Sequence, residues 1–114
     1  MADRHLQEPT RLVLTALADA PRHGYAIIDE VQVISGGRTR MLSGTLYTAL
    51  DRLLKQGLIR VEREEVVSGK LRRSFALTDQ GRDVLTAETE RLRAGVDQAE
   101  RRLALGLQPK KGAV

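Results

Sequence analysis

The chain contains no cysteine and no tryptophan, and its aromatic residues are Tyr25, Tyr47 and Phe75 alone. Without cysteine there is neither a disulfide framework nor a thiolate metal site, which suits a reducing cytoplasm, the expected location. No stretch approaches the roughly 20 apolar residues of a membrane span, and the N-terminus has no secretory apolar region, so no membrane partner is expected. Histidine is scarce as well, limited to His5 and His23. No metal-ligand spacing, phosphate loop or paired carboxylate pattern accompanies them, so no metal, no cofactor and no enzymatic activity is expected. His23 stands in a His-Gly-Tyr turn, where capping a helix is a simpler role than catalysis.

What is present is a basic, core-forming chain of 114 residues, 41% hydrophobic, with a net charge of +4. Its sequence pI of about 10.0 favours an anionic partner such as nucleic acid, provided the arginines lie where one can reach them. This length suits one domain, and a chain so small gains stability from oligomerisation.

Apolar spacing predicts a first helix centred on Arg11–Ala20 and stopped by Pro21, with Pro9 either in its first turn or after an earlier one. A second helix runs from about His23 to Ile34 and ends at Ser35-Gly36-Gly37. A third begins at Ser43, a good N-cap, and continues to Gln56 with Leu46, Leu50, Leu53 and Leu54 on one face. Gly57 suits the left-handed position that closes it. Two alternating runs around Val67-Ser68-Gly69-Lys70 predict a β-hairpin. The last helix starts at Thr78-Asp79 and reaches about Leu105, roughly 40 Å, too long to fold back onto so small a body. The fold class is therefore mainly α with a small β-hairpin: a winged helix-turn-helix plus a long C-terminal dimerisation helix. Residues 1–78 are expected to form the winged-helix domain, of a type that binds DNA, and 79–107 the dimerisation helix. Residues 108–114, with Lys110 and Lys111, form a basic tail expected to be disordered.

Opposite the leucines of the third helix lie Gly44, Thr45, Thr48, Arg52 and Lys55, with Tyr47 at the border and Ser43 at the start. Small residues there let a backbone approach duplex DNA, and hydroxyls and Arg52 can reach base edges or phosphates. An ordinary solvated face has the same composition. On the hairpin, Lys70, Arg72 and Arg73 follow the turn, where cations grip phosphates or enter a minor groove. The rival role is protection of a strand edge, which Glu62, Glu64 and Glu65 favour. If the hairpin meets DNA, these acids should sit away from its tip. Leu85, Leu92, Val96, Ala99 and Leu103 are spaced 7, 4, 3 and 4 residues apart, a heptad-like stripe that wants either a partner helix or the first helix of its own chain.

The runs His23-Gly24-Tyr25, Gly44 to Leu53 and Gly57-Leu58-Ile59 resemble PadR-family regulators, as do Gly69, Arg72-Arg73 and Leu77 to Arg82. The resemblance extends from about Leu12 to the end of the last helix. It implies a winged-helix homodimer that represses genes by occupying double-stranded operator DNA. It gives the base-reading role to Gly44, Thr45, Tyr47 and Thr48 and the wing contact to Lys70, Arg72 and Arg73. It also implies that the terminal helix of one subunit packs against the N-terminal helix of the other. Thr48 stands where the family often has proline, and Ser74-Phe75 where two aromatics often follow the arginines. Some relatives sense hydrophobic or aromatic effectors with a tryptophan on the terminal helix, where this chain has Leu92. A small hydrophobic effector therefore has no aromatic anchor there. A winged helix that binds protein or RNA is the alternative function, because fold does not fix function.

Overall fold

The computed structural model describes residues 6–107; the basic tail assigned to 108–114, and His5, lie outside them. Among the described residues the chain runs α1 (Glu8–Ala16), β1 (Arg22–His23), α2 (Gly24–Ile34), α3 (Ser43–Lys55), β2 (Ile59–Val67), β3 (Lys70–Leu77) and α4 (Asp79–Gly106). Helices α1 to α3 and the sheet enclose a core built on Leu12, Leu14, Ile27, Leu46, Leu53 and Phe75.

Helix α1 ends at Ala16, four residues short of the sequence expectation. The Leu17 and Ala18 amides donate to the carbonyls of Leu14 and Thr15, both at 3.1 Å, which tightens the chain out of the α-helical path. Pro21 bars its predecessor from helical geometry, and Arg22 then turns back to donate from Nε to the Ala16 carbonyl at 2.8 Å. Pro9 sits in the first turn of α1.

At the start of α2, the His23 ring nitrogen Nδ1 accepts from the Ala26 amide at 3.4 Å, so this histidine caps. Both α2 and α3 close in the same way. Gly36 and Gly57 adopt left-handed φ values of 67° and 75°. Gly37 then donates to Gln32, and Leu58 to Leu53, so the last carbonyls are satisfied in the Schellman pattern. Ser43 is not the cap of α3. The extended residue before it, Leu42, is the N-cap, and its carbonyl accepts from Leu46 at 2.9 Å. Ser43 becomes the first helical residue, with its side chain exposed.

The sheet has the order β1-β3-β2 with both pairings antiparallel. Ser68 and Gly69 both have positive φ, 53° and 78°, the mirror-image turn whose twist matches a two-residue hairpin. β1 escaped sequence reading because two residues have no periodicity; it forms because β3 offers an edge. A bulge between Val61 and Arg63 inserts Glu62, and every later β2 residue therefore changes face. Glu64 consequently opposes Arg73 and Glu65 opposes Arg72.

Helix α4 is capped by Thr78, whose hydroxyl oxygen accepts from the Gly81 amide at 3.0 Å and whose hydroxyl donates to the Gly57 carbonyl at 2.6 Å. Gly81 is buried against Leu58 so closely that a Cβ there would overlap the Leu58 carbonyl oxygen. Val84 and Leu85 pack on the core, and from Thr89 to Gly106 every residue is exposed.

Candidate nucleic-acid interface

Helix α3 is amphipathic in a way that leaves its beginning free. Leu46, Ala49, Leu50 and Leu53 are buried, while Ser43, Gly44, Thr45, Thr48 and Arg52 are exposed. Gly44, Thr45, Thr48 and Arg52 share an open cleft of about 500 Å³ with Gln7, Pro9 and Thr10 from the start of α1. Among the described residues no heavy atom lies within 4 Å of where a Cβ of Gly44 would stand, so internal packing does not demand a glycine there. Arg52 has no ion-pair partner among the described residues. Hydroxyls, a backbone open at glycine and one unpaired guanidinium are a donor and acceptor set that can read base edges or hold phosphate.

Tyr47 turns the other way. Its ring lies across Gly24, where a built Cβ would come within 2.5 Å of the tyrosine oxygen. It is 48% exposed and joins the start of α3 to the start of α2.

The wing cations are less free than the sequence suggested. Arg72 pairs with Glu65 at 3.5 Å and Arg73 with Glu64 at 3.4 Å. The bulge at Glu62 sets these two acids directly across the hairpin from the arginines, while Val67 and Lys70 flank the turn itself. Arg73 also lies over the Phe75 ring, 5.5 Å from its centre. Lys70, beside the turn, opposes Val67 and has no ion pair among the described residues. Of the three cations that follow the turn, Arg72 and Arg73 are thus held by carboxylates, and Lys70 has no such partner among the described residues.

The predicted stripe on α4 divides. Leu85 packs on its own core, whereas Leu92, Val96 and Leu103 are 39%, 54% and 71% exposed, and Ala99 is exposed with them. Just before the exposed part, Glu88 is buried, and it accepts from Arg91 at 2.6 and 3.0 Å. That bond raises the Arg91 pKa above its ordinary value. Sequence reasoning missed this pair, although its i,i+3 spacing is a readable signal. It also gave no role to Tyr25, an exposed aromatic at the start of α2.

Among the described residues no group of three or more His, Cys, Asp or Glu residues is placed to hold a metal, and no helix is long and apolar enough to cross a membrane. Three helices, a hairpin wing and a protruding terminal helix define a winged helix-turn-helix of the kind found in transcription regulators. The model of the PadR-like family of transcriptional regulators matches residues 13–87, and the chain belongs to that family. The family's described role is regulation of transcription, not catalysis. A PadR family transcription regulator from Clostridium difficile has a similar crystal structure: TM-score 0.68, 26% identity, covering 82% of this chain and 96% of that one. Bacillus subtilis PadR, solved in complex with operator DNA, shares the fold at TM-score 0.61 and 19% identity, over 95% of this chain and 52% of that one. An uncharacterised 37.1 kDa protein in a Streptomyces fradiae transposon is 46% identical over 77 residues. That match covers 68% of this chain but spans only 21% of the transposon protein's length.

Proposed function

We propose that this chain is a homodimeric transcriptional repressor that binds palindromic operator DNA, with α3 in the major groove and the wing against the backbone. The observation that carries this reading is the exposed first half of α3, with Gly44, Thr45 and Thr48 open to solvent and flanked by Arg52, which has no ion pair among the described residues. Phosphate contacts from Lys70, Arg72 and Arg73 position the helix, and the α3 hydroxyls discriminate bases. Operator DNA bound by the Bacillus relative supports the same use of the fold here.

The exposed Leu92, Val96, Ala99 and Leu103 supply the dimer seam, since a helix gains most of its stability from packing its apolar stripe. Two-fold symmetry then spaces the two recognition helices about one DNA turn apart, roughly 34 Å. A small hydrophobic effector that releases the operator would have to bind through aliphatic contact, as the chain has no tryptophan to stack on it.

Selection of bound duplexes from a random pool, followed by footprinting and titration at several salt concentrations, tests the reading. A symmetric footprint and a steep negative salt slope are expected. Binding to RNA alone, or a single asymmetric half-site, overturns it.

A further inference from the structure

The chain's two tyrosines meet the wing in a groove of about 340 Å³ between the start of α2 and β3. Its existence follows from the short β1. Pairing on that edge of β3 ends at His23 opposite Ser74, so Arg73 to Lys70 have β2 on one side but no strand on the β1 side, where the chain turns straight into α2. Tyr47 from α3, Tyr25 from α2, and Lys70 and Arg72 from the wing therefore line one space, with Val67 and Leu71 as apolar wall. Tyr25 is 72% exposed, a poor place for an aromatic that had only packing to do. Arg72 keeps its Nε buried without an acceptor, so this side chain has a hydrogen bond to gain when it turns toward an anion. Lys70 is free of ion pairs among the described residues.

We propose that this groove seats one backbone phosphate of the duplex, held by the Tyr25 hydroxyl and the Lys70 ammonium with Arg72 beside them. The proposal rests on the DNA-binding reading above and adds Tyr25 as a phosphate contact. Hydroxyl and ammonium donors beside an apolar wall suit a charged acceptor, because a hydrogen bond to an ion is stronger than one between neutral groups. The start of α2 adds a favourable field for an anion. A phosphate held between α3 and the wing would fix the angle at which α3 enters the groove.

A phosphate contact carries no sequence information, so a random-sequence duplex is a sufficient probe beside the selected operator. Tyr25→Phe in the full chain should weaken binding to both by a similar factor, about tenfold. It should leave the salt slope unchanged, because no charge is lost. Lys70→Gln should lower the slope by about one. Combining the two should cost less than the product of the single losses, because they share one ligand. The unfolding midpoint of Tyr25→Phe should match the unaltered chain, which excludes a folding defect. Unchanged affinity in Tyr25→Phe, or a loss confined to the operator, overturns the phosphate seat while the DNA-binding reading stands. Failure of the unaltered chain to bind any duplex overturns both.

Discussion

The winged-helix body and the far part of α4 solve the burial of apolar residues in opposite ways. In the body, Leu12, Leu14, Ile27, Leu46, Leu53 and Phe75 are each at most 2% exposed, covered entirely by their own chain. Along α4 beyond Glu88, leucine and valine recur at helical spacing and every one is exposed. The radius of gyration is 18.8 Å, against about 13 Å for a compact chain of this length. A body that completes its own core can be read as a folded unit. A projecting amphipathic helix has an apolar stripe that its own chain leaves uncovered, and in the proposed dimer its stability would depend on the concentration of a second copy. The two meet at Thr78 and Gly81, where the cap of α4 is bonded to the Gly57 carbonyl and its first turn presses on Leu58.

That junction is the most sensitive place to break the contrast. Gly81→Ala puts a methyl group into the Leu58 carbonyl and should cost about 3 kcal/mol, the upper range for overpacking. Denaturant unfolding reads this, and an unchanged midpoint would mean that α4 is not locked to the body. Next, Leu92→Asp together with Val96→Asp places charge in the proposed seam and should give monomer or unfolded chain in sedimentation. A dimer of unchanged stability would remove the seam and leave α4 without a partner.

Within the body, α3 and the wing should fail differently. Thr48→Ala should reorder the ranking of operator variants, with roughly 1–3 kcal/mol lost at an affected base pair. Arg72→Ala should weaken operator and scrambled duplexes alike and lower the salt slope by about one. Equal losses on both duplexes for Thr48→Ala would deny α3 the reading role. An unaltered slope for Arg72→Ala would make the wing a protected edge. The smallest expected effect concerns the carboxylate that holds Arg72. Glu65→Gln removes a half-exposed ion pair, worth below about 1 kcal/mol to stability. It should nevertheless raise affinity for any duplex, since it frees a guanidinium and removes a negative charge. Unchanged affinity would show that Glu65 does not restrain Arg72.

Several features were legible because their causes are local. His23 ahead of an apolar-periodic run marks the start of α2, Thr78 that of α4, and Gly57 the end of α3. Ser68-Gly69 between alternating runs marks a hairpin, since glycine takes positive φ at no steric cost and serine is a common turn residue. The recognition face could be listed from the polar positions opposite Leu46, Leu50 and Leu53. Other features depend on partners far along the chain. The early end of α1 depends on Arg22 folding back to Ala16, and Ser43 lost the capping role because the chain enters α3 through an extended Leu42.

The sequence by itself determined the class of this protein: which segments are helices, where a wing turns, which helix face is apolar, and that the last helix exceeds its body. These follow from periodicity, capping and backbone freedom, which act over a few residues. Only the tertiary structure decided that β1 exists, that Leu85 belongs to the core while Leu92 does not, and that the wing arginines face glutamates. A bulge of one residue at Glu62 sets that last pairing. Without that extra residue the register from Val61 opposite Phe75 would set Arg63 against Arg73 and Glu64 against Arg72, so the pairing rests on the register between two strands and is carried by neither alone.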